Sequence, residues 1–190
     1  SSSATSSHVQ GGQVLVGSAV RVLSALHRLE SLDLSHNKIV NLAPELLTTL
    51  SRLVSLKLHN NKILRLPKEV GSVTSLQSLY LQENQLLKIG KFIAQLVNLE
   101  ILHCEFNNLS RLPQEMKAMS KLHCLMLHHN KFKIIPDPLY DSSFVQHLYT
   151  LSLEGNPLTP EILRNIAEKG TREYVLEREC KLREEEEAAG

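Results

Sequence analysis

The sequence predicts an α/β solenoid: stacked coils with a parallel β-sheet on one side and short helical turns on the other. Three observations carry this. Six segments begin at Leu29, Leu53, Leu76, Leu99, Leu122 and Leu148, spaced 24, 23, 23, 23 and 26 residues apart. A fixed period in the range of roughly 20 to 50 residues marks a repeat array. Each segment alternates leucine with variable residues, as "LESLDLSHNKIVNL" does from Leu29, and period two is that of a strand with one buried face. An asparagine follows the leucines at the same place in all six.

Taken in chain order, residues 1–13 ("SSSATSSHVQGGQ") lack the basic and hydrophobic regions of a signal peptide and read as a disordered lead. Residues 14–158 form the solenoid. Its first part, Val14 to Arg28, reads as the return half of a preceding repeat that caps the end, with Ala19, Leu23 and Leu26 on its apolar frame. Six full repeats follow. Leu32 and Leu34 point inward in the first, and Leu102 and Cys104 take the same places in the fourth. So short a strand buries its leucines only by stacking in parallel on its neighbours.

Beyond each strand the chain turns away and strips backbone groups of ladder partners. Asn37, Asn61, Asn84, Asn107, Asn130 and Asn156 can bond those groups with both ends of the amide. This assigns the asparagines a structural role. The return halves "LRLPKEVGSVTSL" and "SRLPQEMKAMSKL" share the frame L-P-x-x-φ-x-x-φ-x-x-L, where φ is apolar, and this spacing predicts short helical turns. The proline suits a first helical turn, where no N–H is needed. Gly90 replaces it in the third repeat, "LAPELLTTLSRL" has one extra residue, and "IIPDPLYDSSFVQHL" has three, which predicts a loop around Asp141 to Ser143.

A helical cap is expected over 159–183. Thr159 is its N-cap, Pro160 its first helical residue and Gly170 its stop, with Ile162, Leu163 and Ile166 on one apolar face. Thr171 is placed as the cap of a second helix whose packing residues are Tyr174, Val175, Leu176 and Leu182; residues 184–190 are an acidic tail. The lack of an initiator methionine and the abrupt "EEEEAAG" end read as a trimmed fragment.

Composition narrows the function classes. Net charge is +1, which steers toward neither nucleic acid nor an acidic surface. Trp is absent and aromatics are 4%, so the core is aliphatic. Three scattered cysteines, Cys104, Cys124 and Cys180, make no disulfide framework and point to a reducing, intracellular (cytoplasmic) setting. Cys104 fills a core leucine's place, while Cys124 falls on an outward position and reads as an ordinary surface thiol, with a reactive thiol the alternative. No catalytic motif occurs, neither a phosphate-binding loop nor a G-x-S-x-G or H-E-x-x-H. Among nine histidines, His59 and His128 share a column, but three strands at roughly 4.8 Å each hold them about 14 Å apart. No metal site, cofactor or enzymatic activity is expected.

The repeat L-x-x-L-x-L-x-x-N-x-L resembles that of the leucine-rich-repeat proteins, and the L-P-x-x-φ return resembles the intracellular subgroup that includes the Ras suppressor, scribble and erbin. The resemblance covers roughly residues 14 to 160. It implies a right-handed curved solenoid with the sheet on the concave side. It also makes small GTPases and protein phosphatases plausible partner classes.

The outward columns of the sheet then carry the information. Tyr80, Ile101, Phe106 and Met126 fall in adjacent repeats beside His103 and His128, and an aromatic patch in a polar surround fits a protein-binding hot spot. Lys57, His59, Glu105 and His128 are placed around it to set orientation and specificity. Lys38, Lys62 and Lys131 follow three of the asparagines, and Arg65, Lys88 and Arg111 come just after, which aligns a basic rim. Asp33, Glu83, Glu105 and Glu154 on the sheet argue against RNA. The expectation is a monomeric, non-enzymatic protein-interaction module or scaffold. The alternative is a spacer solenoid within a longer chain.

Overall fold

The computed structural model describes residues 27–178. The expected lead, the apolar frame of Ala19, Leu23 and Leu26, Cys180, Leu182 and the acidic tail lie outside the described residues.

Each repeat gives three residues to one six-stranded sheet. The strands are β1 (Ser31–Asp33), β2 (Ser55–Lys57), β3 (Ser78–Tyr80), β4 (Ile101–His103), β5 (Cys124–Met126) and β6 (Thr150–Ser152). They pair in chain order, all parallel, with Leu32, Leu56, Leu79, Leu102, Leu125 and Leu151 in register. These leucines and the second inward set, Leu34 to Leu153 with Cys104 among them, are buried in one continuous core. Each buried leucine contributes roughly 1.5–3 kcal/mol, and none could be buried by its own coil alone.

The returns close the other side of the core. The repeat with one extra residue forms a true α-helix, α1 (Pro44–Thr49). The standard-length returns are tighter 3₁₀ turns, Lys68–Ser72, Lys91–Gln95 and Gln114–Ala118. Pro67 and Pro113 sit one residue earlier than expected. They are N-caps with extended backbone, φ −69° and −71°, and not first helical residues. The reason is that a fixed φ near −65° serves an extended entry as well as a helical one. Gly90 holds the same place because the Phe92 ring lies over it: a Cβ there would stand 2.3 Å from Cε1.

The fifth return differs from its expected loop. A 3₁₀ turn at Asp137–Tyr140 runs into α2 (Ser142–Val145). The Asp141 carboxylate caps α2 by accepting from the Ser143 and Phe144 N–H groups, which buries Phe144 and Val145. Bonds from the Ser143 side chain, ahead of the backbone ones, hold the Asp141 carboxyl below its ordinary value.

At the C-terminal end, α3 (Pro160–Lys169) starts from a Thr159 cap and stops at Gly170, φ 86°. Ile162 and Ile166 pack on the core, but Leu163 is exposed, since the last coil offers only a narrow apolar strip. Residues 171–178 are helical, with Tyr174 and Val175 buried. Thr171 lies inside this helix, and its hydroxyl donates to Glu154 Oε1 at 2.7 Å instead of capping. Arg172 donates to the Gln146 and Leu148 carbonyls and pins the helix to the last coil. Among the described residues no helix is long and apolar enough to cross a membrane.

Candidate protein-interaction surface

The concave surface is laid out by what happens just after each strand. Asn107 shows the pattern. Its Oδ1 accepts the Leu86 N–H of the preceding coil at 2.9 Å. Its Nδ2 donates to Leu81 O at 2.9 Å and to Cys104 O at 3.1 Å. Asn61, Asn84 and Asn130 repeat this with Ile39, Ile63 and Leu109 as the amide partners. Asn156 serves two amides, Asn130 and Phe132, both at 3.1 Å. Asn37, in the first described coil, bonds its own Leu34 and Ser35 carbonyls.

The residue before each asparagine has a left-handed backbone. His36, Asn60, Glu83, Phe106 and His129 lie at φ 53° to 56°, and Gly155 at 69°. Non-glycine residues are uncommon there, and a bulky aromatic is an outlier. Of the six, Gly155 carries the strongest sequence signal for this conformation, with Asn60, His36 and His129 weaker ones. Apart from that bias, the other five look like freely variable outward residues. This turn lifts their side chains onto the rim of the sheet.

Rings therefore assemble along the sheet. Phe106 stacks on His129, centroids 4.5 Å apart and 11° between planes, and meets the edge of His128 at 5.3 Å. Tyr80 lies over His103 at 5.2 Å. His128 Nδ1 is 2.9 Å from Ser152 Oγ, whose hydroxyl in turn lies 3.7 Å from Met126 Sδ. Tyr80, Ile101, His103 and Met126 are half-buried in neighbouring strands, and Phe106 is 48% exposed. The structure thus brings the expected central patch together. Lys57 stands beside the patch as the register partner of Tyr80 on the adjacent strand, and is paired to Asp33 at 3.7 Å. His36 meets the His59 ring edge-on at 5.0 Å.

One column departs from its expected exposure. Glu105 is buried at 8% and Ser35 at 3%, because both fold back on the residue two before them. The Ser35 amide and hydroxyl both donate to Asp33 Oδ1. Burial would raise the Asp33 carboxyl, but these bonds and Lys57 outweigh it and hold it low. Glu105 Oε1 lies 3.0 Å from His103 Nδ1. A carboxylate acceptor there puts the ring proton on Nδ1 and leaves Nε2 facing the Cys124 thiol at 3.8 Å. His59 Nδ1, Gln82 Oε1 and Glu105 Oε2 are buried without a protein partner. Glu105 thus acts on the surface from beneath, through His103.

The two described cysteines, Cys104 and Cys124, are unpaired. Burial and then Glu105 push both thiols above their ordinary value. Cys124 is thereby held as a thiol, against the reactive reading, since reactivity needs the thiolate. His59 is pushed down, first by burial and then by the nearby His36. Among the described residues no group of three or more metal-ligating side chains gathers.

A second surface lies on the flank just past the asparagines. A separate backbone ladder stacks it: Lys62 N–H on Ile39 O, Gln85 on Ile63, Asn108 on Leu86, Lys131 on Leu109. Lys38, Lys62 and Lys131 align there, with Arg65, Lys88 and Arg111 beside them, all exposed.

Comparison with known proteins agrees with this geometry. The leucine rich repeat family matches residues 27–86. A leucine-rich-repeat protein of Leptospira interrogans superposes with TM-score 0.68 at 30% identity, over 80% of this chain. The fold is a leucine-rich-repeat solenoid. An internalin of Listeria monocytogenes superposes with TM-score 0.65 at 26% identity over 82% of this chain. The Toll–Spatzle complex of Drosophila gives 0.65 at 22% over 72%, a likeness of fold alone. The chain spans 43%, 42% and 20% of the length of those three chains. No curated protein matches the sequence. Leucine-rich-repeat solenoids are in general protein-interaction modules that use their concave face.

Proposed function

We propose that this solenoid is a non-enzymatic module that captures a protein partner on its concave sheet. Tyr80, Ile101, His103, Phe106 and Met126 make the central contact. Lys57, His59 and His128 orient the partner around it, and Glu105 fixes the His103 ring from below. One observation carries the reading. Phe106 holds a left-handed backbone, φ 54°, that Gly155 adopts without strain in the equivalent place, and its ring is 48% exposed. A residue that costs backbone strain and leaves half its ring in water serves the fold poorly, which favours a binding role. The resemblance to the Ras suppressor, scribble and erbin makes a small GTPase or a protein phosphatase the partner class to try first. A monomer in a reducing intracellular setting fits the unpaired cysteines.

The test is affinity capture from cell lysate with the wild type and with Tyr80→Ala/Met126→Ala. A partner retained only by the wild type, with thermal unfolding within about 1 kcal/mol between the two, supports the reading. Equal capture moves the site off the sheet. No capture by either favours the spacer alternative.

A further inference from the structure

We propose that the flank just beyond the asparagines rests on the surface of an anionic lipid bilayer. The five segments 38–42, 62–66, 85–89, 108–112 and 131–135 carry Lys133 and the six cations named above, and no Asp or Glu. The whole chain is only +1, so its charge is segregated onto this side. None of the seven cations is in an ion pair with another described residue. Acidic residues occur at the borders, with Glu83 tied to Asn60 on the concave side and Glu45, Glu69, Glu115 and Asp137 in the first turns of the convex elements.

The same flank exposes aliphatic side chains among its cations. Val40, Leu64 and Leu87 form one column at 37%, 40% and 49% exposure, and Ile134 stands at 59%. Leu64 precedes Arg65, Leu87 precedes Lys88 and Ile134 follows Lys133. Cations and aliphatics at one level are what an interfacial surface presents: charge for anionic headgroups and apolar groups for shallow insertion. Geometry favours a bilayer over an acidic protein segment. Bending a solenoid curves its concave and convex sides but leaves its flanks in the plane of the arc, and the backbone ladder from Ile39 to Lys131 holds this flank in register. The four spacings between five coils, at roughly 4.8 Å each, make a strip about 20 Å long. Docked this way, the concave sheet stands upright from the membrane and stays open.

The experiment is co-sedimentation of the chain with phosphatidylcholine vesicles, with and without phosphatidylserine. We expect binding only to the anionic vesicles, and release at high salt. Arg65→Gln/Lys88→Gln lowers partitioning about 25-fold, at roughly fivefold per cation. Leu64→Ser/Leu87→Ser lowers it about tenfold through lost insertion. Tyr80→Ala/Met126→Ala leaves it unchanged, so failure on the flank and failure on the sheet are told apart. The four substituted residues, Leu64, Arg65, Leu87 and Lys88, are exposed, and circular dichroism checks that the variants stay folded. No binding to anionic vesicles overturns the proposal, and so does equal binding by the charge variant. Binding of an acidic peptide at the same cations, without vesicle binding, overturns it in favour of a protein segment.

Discussion

Two columns of this solenoid run side by side, one residue apart, and they are built on opposite terms. In one, Asn61, Asn84, Asn107, Asn130 and Asn156 are identical and buried, and their amides engage backbone groups in two coils. In the other, Asn60, Glu83, Phe106, His129 and Gly155 share no chemistry, yet all have a left-handed backbone. The first column fixes side-chain identity because its hydrogen bonds demand it. The second fixes only a dihedral angle and leaves the side chain to other uses. The difference teaches that a variable position can be as constrained as an invariant one, in a coordinate that its side chain does not reveal.

The comparison breaks most sharply at Asn107. Replacing it by leucine leaves the Leu86 N–H buried without a partner and removes one of the two asparagine bonds to each of the Leu81 and Cys104 carbonyls, which keep Asn84 and Asn130. At roughly 1–3 kcal/mol for the unpaired N–H and about 0.5–1.5 kcal/mol for each lost bond to a carbonyl, Asn107→Leu lowers stability by about 2–4 kcal/mol in urea denaturation. A loss below about 1 kcal/mol would sink the ladder account. Next in size is Phe106 in the neighbouring column. Phe106→Gly gains about 1 kcal/mol of backbone relief and loses a ring stack worth about 0.5–1.5 kcal/mol. Its stability stays within about 1 kcal/mol of wild type, while partner capture falls. Phe106→Val, with a β-branched residue at positive φ, is less stable than Phe106→Gly by roughly 1–2 kcal/mol. If valine proves as stable as glycine, the column is not dihedral-limited.

The smallest effect concerns pH. His59 has a folded pKa below its ordinary value, from burial first and His36 next. The unfolded chain therefore binds more protons than the fold as pH drops through the ordinary histidine range near 6.5. Stability is fully present above that range and declines on acidification toward pH 5. His59→Gln, measured by urea denaturation at several pH values, flattens this slope. An unchanged slope would assign it to other groups.

The strands, their register and the buried leucines were legible because period-two alternation at a fixed spacing admits one stacked arrangement. The asparagines were legible for the same reason: every coil has the same orphaned amides. The fifth return was misread because Asp141, an N-cap, looks like any loop aspartate until the two N–H groups it accepts are in place. In the concave patch, adjacency in sequence columns was enough to bring Tyr80, His103, Phe106 and Met126 together. It could not show that Glu105 turns back onto His103, since that depends on a side-chain rotamer. The flank's backbone ladder was invisible too, because main-chain bonds leave no mark on side-chain identity.

The direction of the asparagine bonds has a consequence for biosynthesis. Each oxygen reaches backward: Ile39 waits for Asn61, Ile63 for Asn84 and Leu86 for Asn107, separations of 22, 21 and 21 residues. A coil leaving the ribosome cannot satisfy its own turn until nearly a full coil more has emerged. Assembly is therefore vectorial, with every newly made turn provisional until its successor locks it. Premature termination inside the array leaves the last coil unlatched, and a deletion that is not a whole number of coils puts the wrong residue at the latch.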